Sequence, residues 1–293
     1  MPNKIVKIYD GSHWRWPTPL QKVIEAGGQG WITKATEGTT WVDDYYDDWK
    51  LEAEGLNFPF GSFHYWRAAY NAQKQAQHYY AIATGGGKPL LPPVIDVEKT
   101  NNYGVLSLSA ASAHLQLLCL ETEALWGEKP WIYTSYYSVK DMFGAPSWMA
   151  NYKLWVASYR SDRPSIPVPW QSIPDPQYIF WQDTSSDPIP GTVFAGYDRD
   201  WWHGTQAEYD QYIEERKALI NPQPPVSIYP FMGKVQMPQN LNIFNVPMGE
   251  RVGLLPDQTA VTILEEVRDA EGIKWYKLGG EAYVKAKYII PME

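Results

Sequence analysis

Residues 93–100 read PVIDVEKT. Val94, Ile95 and Val97 give this stretch the apolar, β-branched character of a buried strand, yet it carries Asp96 and Glu98 two positions apart. Side chains at i and i+2 of a strand project to one face, so both carboxyls leave together and Val97 leaves opposite. Two acids held together away from water repel and lose hydration, which raises the pKa of at least one. One then keeps a proton near neutral pH while its neighbour is an anion. That is the equipment for general acid catalysis beside a charge stabiliser. The competing reading leaves one acid in solvent at the strand end, or against a nearby Arg or Lys. On this stretch alone the two readings stand level.

Two further strand ends shift the balance. KIVKIYDGSH closes a strand at Asp10 before a glycine turn, and FAGYDRDWW closes the expected last strand, Phe194–Tyr197, at Asp198. First and last strands of a closed barrel are neighbours, so Asp10 and Asp198 fall side by side, facing the Asp96/Glu98 strand. Four converging carboxylates without Cys or His partners suit a hard-cation site or a glycosidase. No Ca²⁺ loop of alternating acids is present, and the five histidines lack metal-ligand spacing. Neither a metal nor a cofactor is expected. A Gly-rich phosphate loop and a G-x-S-x-G elbow are also missing.

The elements that must position these acids alternate. Expected strands are Ile5–Tyr9, Gly30–Thr33, Gly61–Tyr65, Val94–Glu98, Trp131–Tyr133, Leu154–Ala157, Ile179–Gln182 and Phe194–Tyr197. Helical patterns lie between them: TPLQKVIEAGG with Thr18 as cap, DDYYDDWKLEAEG ending at Gly55, NAQKQAQHYYAIATGGG from Asn71, and Ser109–Leu125 capped by its serine. Eight strands with crossovers predict a parallel α/β barrel with active groups at the strands' C-terminal ends. Short later helices and Pro-rich loops predict an incomplete outer ring. The Pro-rich residues 221–227 read as a stiff linker between a barrel over 1–220 and a region 228–293. That last region has the short strands and turns of a small β-barrel of about 60 residues.

Composition narrows the function. With 44% hydrophobic and 20% charged residues, the 293-residue chain is globular and has ample material for a core. A net charge of −8 speaks against nucleic acid as a partner and offers no attraction to an anionic surface. The single cysteine, Cys119, excludes an internal disulfide and sits in a helical apolar pattern as an inert thiol. MPNKIVKIYD lacks the apolar stretch of a secretory signal, so synthesis in the cytoplasm and later release is the expectation. No run reaches transmembrane length, so membrane insertion is not expected. Fifteen Trp and 21 Tyr supply flat faces that suit sugar rings as well as a core.

At this point YDGSHW, WITKATEGT, FGSFHYWRA, PVIDVE, PWIYT, LWVASY, FWQ and YDRD resemble, in order, the strand motifs of glycoside hydrolase family 25, the Chalaropsis-type lysozymes common among phage endolysins. The resemblance covers roughly residues 4–218. It implies a flattened, incomplete (β/α)8-type barrel with an acidic groove. The implied reaction is hydrolysis of the β-1,4 bond between N-acetylmuramic acid and N-acetylglucosamine in peptidoglycan. Glu98 matches the general acid, Asp96 the acid beside it, and Asp10 and Asp198 the further groove acids. In a substrate-assisted route the N-acetyl carbonyl attacks the anomeric carbon; in the direct route Asp10 or Asp198 activates water. Residues 228–291 resemble, more loosely, a bacterial SH3-like domain, which implies a module binding wall peptide or glycan. A non-catalytic wall-binding protein and a glycosidase acting on chitin-type polymers are the competing readings.

Other side chains divide between this groove and the core. Phe63 stands where the family has a tyrosine, and Tyr65, on the same face, is the candidate replacement. Trp66, Tyr133, Trp155, Trp181 and Trp201 stand at or near strand ends, where sugar stacking competes with core packing, the better reading for each; Tyr133 and Trp181 are the preferred groove candidates. Lys34, Thr36 and Glu37 either line the groove or hold its loop, with a surface ion pair the reading for Glu37. His64 reads as a hydrogen-bonded core histidine, Asp183 as a solvated loop acid, and residues 43–48 (DDYYDD) as a solvated helix face.

Overall fold

The computed structural model describes residues 4–160, 162–174, 177–220, 230–237 and 239–292. The chain divides into two compact units, Met1–Asn221 and Pro222–Glu293. The stretch expected as a linker lies outside the described residues.

In the first unit the strands are β1 (Lys7–Gly11), β2 (Gly28–Glu37), β3 (Trp41–Val42), β4 (Phe60–Tyr65), β5 (Val94–Val97), β6 (Trp131–Ser135), β7 (Leu154–Ala157), β8 (Phe180–Asp187) and β9 (Tyr197–Trp202). The helices are α1 (Leu20–Glu25), α2 (Tyr46–Leu56), α3 (Ala72–Ala83), α4 (Leu108–Trp126), α5 (Tyr136–Phe143), α6 (Val168–Gln171) and α7 (Gln206–Ile220). The strands form one sheet in the order β1-β9-β8-β7-β6-β5-β4-β2-β3, and a β1–β2 pairing closes eight of them into a barrel. The outer ring thins after β6: α5 has 8 residues, α6 has 4, and no helix separates β8 from β9 among the described residues, before the 15-residue α7 follows β9.

Seven of the barrel strands run parallel, but β9 is antiparallel to both β8 and β1. This corrects the all-parallel expectation. Residues 188–196 are too few for a crossover, which needs about a dozen or more residues, so the chain returns as a hairpin. The last strand also begins at Tyr197 instead of ending there. Because β9 runs the other way, its first residues reach the rim where the other strands end.

Inward positions change character along each strand. Ile8, Ile32, Val94, Trp131 and Phe180 belong to an apolar cluster inside the barrel. Two residues further along stand Asp10, Lys34, Asp96, Tyr133 and Gln182, one polar tier above it. A larger apolar cluster packs the outward faces, such as Tyr9, Ile95, Ile132 and Trp181, beneath the helices. Buried on both faces, these strands hold their acids at the one place where the interior opens.

Several helix ends differ from expectation. Thr18 does not cap α1; its hydroxyl donates to Arg15 O and meets Tyr197 Oη at 2.9 Å. Helix α2 stops at Asn57, which takes the left-handed conformation at φ 49, rather than at Gly55. Ser107, not Ser109, caps α4 by accepting from Ala110 N. Asn71 caps α3 as its sequence predicts, accepting from Lys74 N at 2.9 Å.

The second unit is all-β: β10 (Phe231–Val235), β11 (Leu241–Phe244), β12 (Arg251–Leu255), β13 (Ala260–Ile263), β14 (Glu265–Arg268), β15 (Lys274–Gly279), β16 (Ala282–Lys285) and β17 (Ile289–Pro291). They form a sheet β13-β10-β17 and a sheet β12-β11-β16-β15-β14 around Val235, Leu241, Val261, Ile263, Val284 and Ile289. Strands β10 and β12 carry a central glycine and escape a propensity reading. Gly233 is needed for packing, since a Cβ there would stand 2.5 Å from Ile289 Cγ2.

Candidate active site

A cavity of about 630 Å³ opens at the rim and is lined by Asp10, Asp96, Glu98 and Asp198, with Lys34, Tyr65 and Tyr133 among its walls. The four acids come from three strands. Asp10 of β1 and Asp198 of β9 are register partners. Asp96 lies on β5, level with Tyr65 of β4 and Tyr133 of β6. Glu98 follows the end of β5 and is half-buried, whereas Asp96 is buried.

Every one of these carboxyls is pushed above its ordinary range. Burial is the main cause for Asp96, followed by repulsion from Glu98, with Lys34 opposing. For Glu98 burial again leads, then Asp198, and Lys34 opposes. Burial raises Asp198 while Arg15 holds it down. Burial and repulsion from Asp200 and Asp198 raise Asp10. Such a cluster retains protons at pH values where free carboxyls have lost them. One oxygen of Asp96, Oδ1, is buried and meets no donor.

Hydrogen bonds fix the acidic wall. Gln182 donates to Asp10 Oδ2 at 2.8 Å and accepts from Tyr133 Oη at 2.8 Å and Tyr159 Oη at 3.0 Å. Tyr65 donates to Thr100 O at 2.9 Å. Lys34 is nearly buried, ion-paired with Glu37, and lies 4.7 Å from the Tyr65 ring and 4.5 Å from Trp41. Arg67 also pairs with Glu37 at 2.9 Å. Lys34 and Glu37 therefore both line the cavity, and their ion pair is part of its wall. Thr36 turns away and meets His64 Nδ1 at 2.8 Å. His64 is a buried core residue, its pKa pushed down to about 3 by desolvation.

Trp181 is not a groove residue. It is fully buried on the outward face, its indole donating to Ser158 O at 2.7 Å. On β8 the inward place belongs to its neighbour Gln182, and alternation sends Trp181 outward. Asp183 is neither solvated nor at the groove mouth. It lies buried on the outside of β8, bonded to Lys4 at 2.5 Å and to Arg199 at 3.0 Å. Asp43, in the acidic run expected to be solvated, is also buried and accepts from His13 N at 2.9 Å.

Trp14 and Asp200 carry no expectation from sequence, and Trp155, expected in the core, is buried and also lines the cavity. Trp14 is 71% exposed at the cavity rim, a flat apolar face open to solvent. Trp155 lines the cavity and donates its indole N–H to Asp200 at 2.6 Å. Asp200 is fully buried, with a pKa raised to about 8 by desolvation, and stands on the same face as Asp10, diagonally across the β1–β9 ladder. The rule that paired Asp96 with Glu98 would have found it, because Asp198 and Asp200 form the same i, i+2 pair. Among the described residues no group of three or more His, Cys, Asp or Glu is arranged to hold a metal ion.

Known proteins carry the same barrel. A family model described as glycosyl hydrolases family 25 matches residues 9–192. Lysozyme M1 of Streptomyces globisporus is 27% identical over 212 residues, covering 69% of this chain and 69% of its own. An N,O-diacetylmuramidase of Arthroderma benhamiae is 27% identical over 195 residues, covering 62% of this chain and 77% of its own. The structure of a muramidase from Acremonium alcalophilum superposes with a TM-score of 0.62 at 25% identity, covering 74% of this chain and 100% of that one.

Proposed function

The chain belongs to glycosyl hydrolase family 25, and from that premise we propose that it is an N-acetylmuramidase whose catalytic groups are Glu98, Asp96, Asp10 and Asp198. It is a glycoside hydrolase acting on peptidoglycan. The observation that carries the residue assignment is the convergence of those four carboxyls on one open cavity.

Glu98 is the general acid. It stands half-buried at the cavity, where burial and then Asp198 hold its carboxyl above the usual carboxylate range. It protonates the leaving glycosidic oxygen. Asp96 lies deeper, with Oδ1 lacking a donor. The acetamide N–H of a muramic acid residue supplies that donor. A hydrogen bond to the anion lowers the pKa of Asp96 and leaves the shared proton to Glu98. Binding thus sorts the pair into one acid and one anion. The oriented acetamide carbonyl then attacks the anomeric carbon in a substrate-assisted displacement, one of the exceptions to the two-carboxylate scheme. Lys34 limits the build-up of negative charge, while Tyr65 and Tyr133 shape the wall.

The all-β unit we read as an SH3-like module that holds the enzyme on wall peptide or glycan, in keeping with its strand order. We also read the protein as an endolysin, stored in the host cytoplasm and released to the wall. Cells expressing it without a leader then stay intact until their membrane is permeabilised, and lysis beforehand would overturn this reading. Among the described residues no helix is long and apolar enough to cross a membrane.

Mass analysis of fragments from purified walls tests the central assignment. Products should end in N-acetylmuramic acid at the reducing end. Ends in N-acetylglucosamine, or release of chitin fragments in their place, would refute it. Glu98→Gln should abolish release while leaving wall binding intact, which separates an enzyme from a binding protein.

A further inference from the structure

Below the cavity floor, the β8–β9–β1 seam holds a second pair of acids. Asp200 of β9 is level with Gln182 of β8 on one side and with Ile8 of β1 on the other. Its side chain is completely buried. Trp155 donates to Oδ1 at 2.6 Å, and an indole can only donate. The other oxygen, Oδ2, is buried without a donor. Asp200 stands on the same face of the sheet as Asp10, one diagonal step along the β1–β9 ladder, close enough for the two carboxyls to repel. Asp10 in turn receives the Gln182 amide on Oδ2. Gln182 cannot present its oxygen there, because that oxygen already accepts from both Tyr133 and Tyr159. Among the described residues the side-chain hydrogen bonds to the two carboxyls come from Gln182 and Trp155, and neither donor is a cation.

Two buried carboxyls side by side on one face, each with a single neutral donor, cannot both be ionised without a large penalty. One proton between them removes the repulsion and makes a short, charge-assisted hydrogen bond. We infer that Asp200 is a positioning residue for Asp10: the two share one proton across the β1–β9 seam, and this bond fixes the Asp10 carboxyl at the groove wall. The pairing rests on geometry; its bearing on turnover rests on the glycosidase reading above.

The surroundings reinforce the arrangement. Facing the pair are Asp198 from β9, Tyr133 from β6, Tyr159 after β7, Gln182 from β8 and Trp155 from β7, with Asp183 farther out. Asp198 adds repulsion, and the remaining close groups are neutral donors. Asp10, with its lone pairs engaged by Gln182 and by the shared proton, is a poor base for activating water. Its catalytic part is that of an oriented carboxyl in the groove wall opposite Asp96 and Glu98.

The test labels aspartate carboxyl carbons with ¹³C and follows their NMR titration in the full chain, assigning Asp10 through Asp10→Asn. In the native protein Asp10 and Asp200 should titrate as a linked pair, with inflections displaced upward. Asp200→Asn keeps the shape and the Trp155 contact and offers Asp10 a permanent N–H. The titration of Asp10 should then become single and fall by about one pH unit or more, while Asp96 is unmoved. An Asp10 titration unchanged by Asp200→Asn would overturn the inference. Asp200→Leu, which removes both acceptor and proton, should lower kcat with KM nearly unchanged, and equal kcat in the Leu and Asn variants would also count against it. The NMR result stands whether or not the chain cleaves muramyl bonds, and the Glu98→Gln assay addresses that question separately.

Discussion

The side chain of Glu98 combines partial burial with a neighbour, Asp198, that resists its ionisation. A general acid typically contributes 10²–10⁴-fold, so Glu98→Gln should cost roughly that factor in kcat on purified walls. A raised pKa keeps the acid protonated further up the pH scale. Turnover should therefore hold through mildly acidic pH and decline as pH rises through the Glu98 titration, visible in a kcat/KM profile. Trp14, exposed at the rim, offers a sugar platform without touching the acids. Trp14→Ala should raise KM roughly three- to tenfold with little change in kcat. At this scale the acids were legible because strand alternation ties Asp96 to Glu98. The error at Trp181 has an equally simple origin. In a barrel covered by helices both strand faces are buried, so hydrophobicity does not reveal which parity points inward. Trp181 looked the better groove residue, but Gln182 holds the inward place.

Among the elements, the β8–β9 hairpin is the one that departs from a repeating barrel, and it delivers both Asp198 and Asp200. Gly196, just before β9, packs against the opposite strand so closely that a Cβ would stand 2.6 Å from Ser186 Cα and 2.9 Å from Ser186 C. Backbone cannot yield as a flexible side chain would. Gly196→Ala should cost about 1–3 kcal/mol in denaturant unfolding. It should also reduce kcat more than it raises KM, because the start of β9 carries Asp198. At a helix end, Asn71→Ala removes the acceptor for Lys74 N and should destabilise the barrel by about 1 kcal/mol without affecting activity. Capping of α3 was readable because Asn71 alone stands before that helical pattern. For α4 the choice between Ser107 and Ser109 was not, since both precede a helical run and one residue pair's register decides.

For the whole molecule, the acid cluster makes stability depend on pH. Asp10, Asp96, Glu98, Asp198 and Asp200 all have folded pKa values above their unfolded ones, chiefly through burial. The native state then binds more protons than the unfolded chain over the window from about pH 4 up to the Asp200 value of about 8. Stability falls as pH rises through that window. Thermal unfolding should show the barrel transition at lower temperature at the top of this range than at the bottom, and Asp200→Asn should reduce the difference. The two units have separate cores. If the second unit has the proposed targeting role, a chain ending at residue 220 should keep its rate on soluble glycan fragments and lose rate on intact walls. Equal rates on walls would remove the targeting role.

The sequence alone determined the kind of strand, the pairing of Asp96 with Glu98, the strand-terminal place of Asp10 and the family resemblance, because these follow from local periodicity and short motifs. Only the tertiary structure decided that β9 runs antiparallel, that Trp181 faces outward, that Asp183 is neutralised by Lys4 and Arg199, and that Asp200 shares a face with Asp10. Each of these depends on which residues far apart in sequence share a face once the sheet closes. Alternation along a single strand fixes what points together, but closure fixes what it points at.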